Sequence, residues 1–177
     1  MIRVASIEIN RAPVLSLWAA IVAERAGLSE DESLSVGRAV AGLTAQSKGR
    51  RLGLYKQPPA SETEKLRGMR DDLDARSLEF MHRTIPIIRQ GSEIRALSKA
   101  KAIEPDSVRR YLDTKFGEQL PLFRDALRAL AASMPVETLL ATAMDLYATF
   151  RPTVPSGAAG WGKRGTFDTG TIDVLRT

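Results

Sequence analysis

Apolar and polar positions change period several times along the chain, and each period predicts an element. Ile2, Val4, Ile7 and Ile9 alternate with other residues. A period of two is that of a strand, so residues 2–9 predict a short strand or extended arm. Asn10 then offers a cap, Pro13 stands near a helix start, and from Val14 to Ala26 the chain is almost continuously apolar. Such a run predicts a helix buried on most sides and stopped at Gly27. Ser29 and Glu32 have the spacing of a capping box, in which hydroxyl and carboxylate satisfy reciprocal backbone donors. A second helix follows to about Ser47, with Val36, Val40 and Leu43 on its core face. Gly37, Ala39, Ala41 and Gly42 make part of this helix small. A glycine inside a helix costs about 1 kcal/mol relative to alanine. Two of them predict a close approach by another helix, and the first two helices together predict an αα-hairpin.

The run Ser47-Lys48-Gly49-Arg50-Arg51-Leu52-Gly53, with Lys56 and Pro58-Pro59 after it, predicts a basic, glycine-punctuated loop. Ser61 and Glu64 repeat the capping-box spacing and predict a charged helix to about Leu73, which residues 77–84 extend or restart. Ile85, Ile87 and Ile88, then Gln90-Gly91, then Ile94 and Leu97 fit a small β-hairpin, and a helix from Ser92 is the competing reading. Pro105 opens a helix that runs to about Phe116 and ends at Gly117. Phe123, Ala126, Leu127, Leu130 and Met134 recur at helical spacing, and after Pro135 so do Val136, Leu140, Ala143, Tyr147 and Phe150. Two amphipathic helices joined so tightly are expected to pack antiparallel. From Arg151 onward glycine and proline dominate, and Ile172 to Leu175 offers a short segment that docks back. The expected fold class is mainly α. A single multi-helix domain occupies residues 1–150, with at most a small β-hairpin or short N-terminal strand, and a Gly/Pro-rich tail, residues 151–177, docks on it.

Composition bounds the chemistry. A chain of 177 residues, 44% hydrophobic and 27% charged, is ordinary for one globular domain. At this size about 70% of the unfolded surface can be buried, so neither a disulfide nor a structural metal is required. The absence of cysteine excludes a disulfide framework, thiol catalysis and cysteine-ligated zinc, and fits a cytoplasmic address. Glu24 and Arg25 close the longest apolar run well short of the ~18–20 residues of a membrane span, so no membrane partner is expected. The alternating N-terminus, carrying Glu8, lacks the form of a signal peptide. Lys and Arg number 26 against 21 Asp and Glu, a formal net charge of +5, which permits contact with nucleic acid or anionic surfaces.

Residues 97–112, Leu97-Ser98-Lys99-Ala100-Lys101-Ala102-Ile103-Glu104-Pro105-Asp106-Ser107-Val108-Arg109-Arg110-Tyr111-Leu112, carry the sharpest local signal. Ala102 stands where a tight turn needs a small residue, Ile103 follows it, and Val108 and Tyr111 fall at packing offsets. The stretch resembles the helix-turn-helix of bacterial DNA-binding proteins. That resemblance implies that the helix from Pro105 enters a major groove. Arg109 and Arg110 would then reach bases or phosphates, and Lys99 and Lys115 would contact backbone. An ordinary turn into a capped helix with solvated arginines reads the same residues.

Other constellations are less directed. Lys48, Arg50 and Arg51 form the densest basic cluster, suited to phosphate or to offsetting a helix macrodipole. Gly157 to Lys163 has the spacing of a phosphate-binding loop, but Arg164 replaces the magnesium-holding Ser or Thr, which argues against a nucleotide triphosphatase. Lys163 and Arg164 beside glycine amides remain an anion-binding candidate, with Trp161 either stacking on a base or anchoring the tail. His82 is the single histidine, no metal-ligand spacing occurs, and Gly-x-Ser-x-Gly is absent. No catalytic residue, metal or cofactor is therefore assigned. Two functions compete: nucleic-acid binding through Lys48, Arg50, Arg51, Lys99, Arg109, Arg110 and Lys115, and a helical scaffold that assembles as a homo-oligomer, a dimer in the simplest case. The first is the leading expectation.

Overall fold

The apolar run after Asn10 forms helix α1 (Arg11–Arg25) in the computed structural model, which describes residues 5–51, 76–154 and 164–176, with side chains for all of these except 46–51. Every residue from Pro13 to Ala23 is buried, because α1 lies at the centre of the molecule. The indole N–H of Trp18 donates to the Ala143 carbonyl at 2.9 Å, so the one polar atom of a fully buried ring is satisfied. Gly27 ends the helix at φ +112°. Its N–H donates to the Glu24 carbonyl and the Leu28 N–H to that of Ala23, which are the two bonds of a Schellman motif.

Helix α2 (Glu30–Arg51) returns alongside α1 as the expected αα-hairpin. The capping box is formed: the Ser29 N–H donates to Glu32 Oε1 at 2.9 Å, and the Glu32 N–H donates to Ser29 Oγ at 3.2 Å. Gly37 is where the helices touch. A Cβ there would stand 2.4 Å from the Ser16 carbonyl oxygen and 2.8 Å from the Ala20 nitrogen, so no larger residue fits without parting the pair. The helix continues to Arg51, so the backbone of 47–51 is helical where a loop was expected. The helix expected over 61–73 lies outside the described residues.

The larger correction concerns residues 76–102. Strands β2 (Arg76–Phe80), β3 (Arg83–Gln90), β4 (Glu93–Ser98) and β5 (Lys101–Ala102) make a four-stranded antiparallel meander. The fold is therefore α+β, not mainly α with a small hairpin, and neither a helix over 77–84 nor one from Ser92 exists. Each pair of strands is joined by two residues: Phe80 pairs with Arg83, Gln90 with Glu93, and Ser98 with Lys101. Met81 and His82 have φ of 49° and 62°, Lys99 and Ala100 of 51° and 64°. Paired positive φ is what a type I′ hairpin turn requires. Asn-Gly or Asp-Gly usually announces such a turn, and two of these three turns contain neither glycine nor asparagine.

The sheet packs on α2 through β3 and β4, with Ile85 and Ala96 fully buried. Beyond the two residues that β5 covers, α2 satisfies the open edge of β4 with side chains. Glu32 Oε2 accepts from the Ile94 N–H at 2.8 Å, and Ser35 Oγ accepts from the Ala96 N–H at 3.1 Å. The edge is thereby closed to further strand pairing.

Helices α3 (Pro105–Phe116), α4 (Leu120–Ala132) and α5 (Val136–Phe150) follow, and α4 and α5 both pack on α1. The chain then adds β6 (Gly165–Asp168) and α6 (Thr169–Asp173). Strand β6 pairs antiparallel with β1 (Ser6–Ile9), in a second, two-stranded sheet that realises the expected N-terminal strand. Phe167 on β6 stacks on Phe123 of α4, centroids 4.6 Å apart, and Ile172 is fully buried. These residues of the tail thus belong to the core. No helix among the described residues is long and apolar enough to cross a membrane.

Candidate functional site

The charged groups divide between two places along α2. At its N-terminus Glu30, Asp31 and Glu32 occupy the first turn, where the helix dipole favours negative charge. Two arginines from other elements close on them. Arg95 on β4 is buried and pairs with Glu93 at 3.1 Å, with Asp31 3.9 Å away. Arg109 on α3 binds Asp106 at 2.7 Å, Glu30 at 3.4 Å and, most closely, Asp31. The Asp31 hydrogen bond leads the effects that hold the Arg109 guanidinium protonated more firmly than usual. Burial pushes the Glu32 carboxyl up. The Ser29 and Ile94 N–H groups, the Ser29 hydroxyl and Arg95 outweigh that and hold it below its ordinary value of 4.5. This end of α2 is an internal ion cluster that ties α2, β4 and α3 together.

Two turns later the arrangement is different. An open groove of about 630 Å³ lies between α2, the β4–β5 hairpin and the start of α3. Its lining is mixed: Ala39, Leu43, Leu97 and Ile103 supply apolar surface among polar side chains, and Gly42 adds bare backbone. Among the described residues three cations reach it, Arg38, Lys99 and Arg110, against one carboxylate, Glu104. The fold places each for a local reason. Arg38 follows Gly37, so the close helix contact turns it away from α1, and its guanidinium lies 4.5 Å from the centroid of the Tyr111 ring. Burial pushes the Tyr111 phenol up, and Arg38 pulls it partly back. Lys99 sits at the tip of a type I′ turn and is exposed. Arg110 is exposed one position after Arg109, about 100° further round the helix. Lys115, a turn beyond Tyr111, brings its ammonium to 6.0 Å from the same ring.

The residues expected to act together are therefore separated. Lys99 and Arg110 share the groove, and Lys115 adjoins it through Tyr111. Arg109 faces the acidic cluster. Residues 97–102 are the end of β4, a two-residue turn and β5, so the helix that would precede the turn of a helix-turn-helix is not formed, and Pro105 follows an extended segment. Lys48, Arg50 and Arg51 occupy the last turns of α2, downstream of the groove-lining Gly42 and Leu43, and their side chains lie outside the described ones. Lys163 and Trp161 lie outside the described residues. Arg164 is exposed beside β6 and is not part of the groove. His82 is exposed at the β2–β3 turn. Among the described residues no group of His, Asp and Glu is disposed to hold a metal ion.

Arg38, Gly42 and Tyr111 line or adjoin the groove, and sequence reasoning did not assign them to a site. A signal existed for the first two: an arginine and a second glycine interrupt the small, core-facing stretch of α2. Their meaning depends on which neighbour each one meets. Comparisons with protein-family models, with curated proteins and with solved structures find no match to this chain.

Proposed function

We propose that this protein binds nucleic acid through the groove between α2, the β4–β5 hairpin and α3. The observation that carries this reading is the gathering of Arg38, Lys99 and Arg110 around one open cleft that holds a single carboxylate among the described residues. Cations clustered around one cleft attract a polyanion more strongly than the same charges dispersed. The formal net charge of +5 adds a long-range pull of the same sign. Lys115 adds a further cation beside Tyr111. The mode differs from a recognition helix in a major groove, since the strands beside the cleft contribute more of its lining than α3 does. The reading keeps a cytoplasmic address, for which the lack of cysteine is the support.

A homo-oligomeric scaffold has less behind it. Gly37, the close-approach residue of the small stretch, is covered by α1. The large apolar side chains left exposed among the described residues, Leu140 and Val174, stand on different elements.

Fluorescence anisotropy with labelled mixed-sequence DNA and RNA, at low and at physiological salt, tests the proposal. Affinity is expected to fall steeply with salt, and Lys99→Glu/Arg110→Glu should flatten that dependence by about 0.7–0.9 in log–log slope for each phosphate no longer neutralised. The exposed Arg176→Gln should change nothing. Absence of binding to any of these probes at low salt refutes the reading.

A further inference from the structure

We infer, on the basis of the nucleic-acid reading above, that the occupant of this groove is a single strand whose unpaired base lies against the bare backbone at Gly42. Size comes first. A cleft of about 630 Å³ is of the order of a small-ligand site, roughly 300–1,000 Å³. It has room for one or two nucleotides. The distribution of polarity comes second. Apolar surface from residues such as Leu43 and Ile103, in the same cleft as three cations, suits a flat base together with its phosphates.

The two glycines of α2 make the sharper argument. Gly37 has a packing reason, since its Cβ would collide with α1. A Cβ at Gly42 would meet nothing within 4 Å among the described residues, yet the residue lines the groove. Glycine inside a helix lowers stability relative to alanine, and no described neighbour repays that loss. Bare backbone facing an open cleft is what close approach by a flat ligand requires. Beside it, the Arg38 guanidinium, itself on the groove wall, lies over the Tyr111 ring, and a guanidinium plane is a group on which an unpaired base stacks. Glu104, also in the lining, repels phosphate and can accept hydrogen bonds from exocyclic amino groups, so the strand's phosphates belong with Lys99 and Arg110.

The test uses the full chain with a labelled 12-nucleotide mixed-sequence DNA strand, the RNA of the same sequence and the corresponding DNA duplex. At least one single strand should bind about tenfold or more tightly than the duplex. Gly42→Leu, which fills the cleft, should weaken single-strand binding about tenfold, and Gly42→Ala should weaken it severalfold while raising the melting temperature. If Gly42→Leu does not fold, Gly42→Ala alone carries the reading. Duplex binding equal to or tighter than single-strand binding, or strand binding indifferent to Gly42, overturns the inference and leaves the broader nucleic-acid reading standing. A melting temperature lowered by Gly42→Ala also overturns it, because another segment of the chain would then lie on Gly42. Failure of all three probes to bind refutes the nucleic-acid reading itself.

Discussion

The two charged regions along α2 use the same residue types to opposite ends. At the N-terminus, acids and arginines from three elements meet and neutralise one another. At the groove, cations converge with one carboxylate among the described residues. Arg109 and Arg110 show how little separates the outcomes. They are adjacent in sequence and of identical chemistry, yet one bridges α3 to Asp31 and the other faces the cleft. Charge that is matched inside the fold serves cohesion, and charge gathered around an open cleft is available to a partner.

That contrast can be broken at either side. The largest effect is expected from Glu32→Ala, which removes the capping box and strands the Ile94 N–H at the β4 edge. A missing cap costs about 1 kcal/mol, and a donor left without a partner about 1–3 kcal/mol. The melting temperature, followed by circular dichroism, should fall by about 4–16 °C, with nucleic-acid affinity per folded molecule unchanged. Next comes the groove. Lys99→Glu/Arg110→Glu should lower affinity at least tenfold, about 1.4 kcal/mol, with stability altered by less than about 0.5 kcal/mol.

Arg109→Gln and Arg110→Gln form the most direct comparison. The first should cost about 1 kcal/mol of stability, a modest figure because the guanidinium is about a third exposed and water screens its pairs. It should leave binding nearly intact. The second should do the reverse. If both variants affect binding alike, the division between the two regions is wrong.

The smallest effect concerns pH. Glu32 titrates below its ordinary value of 4.5 in the folded protein, so its contribution is complete above that value. It is lost as pH falls through the depressed folded value, since protonation then favours the unfolded chain. Glu32→Gln should therefore lose less melting temperature between pH 7 and about pH 3 than the unmodified protein does.

The sequence by itself determined what depends on near neighbours. The buried helix α1 and its stop at Gly27, the reciprocal cap of Ser29 and Glu32, the entry to α3 at Pro105 and the helical spacing of α4 and α5 all rest on contacts within a few residues. Glycine, proline and periodicity report such contacts directly. The four-stranded sheet was not legible in that way. Two of its turns place Met81-His82 and Lys99-Ala100 in left-handed conformations that these residue types rarely adopt, and the pairing of the flanking strands, with Met81 and Ala100 buried, holds them there. The groove was less legible still. Lys99 and Arg110 could be picked out as basic, and Gly42 as an oddity, but Arg38, Gly42, Lys99 and Arg110 come from three elements. Their convergence, and the diversion of Arg109 to Asp31, were decided only by how α2, α3 and the β4–β5 hairpin pack. Long-range packing sets the direction of a side chain to within a fraction of a helical turn, and no local pattern records that angle.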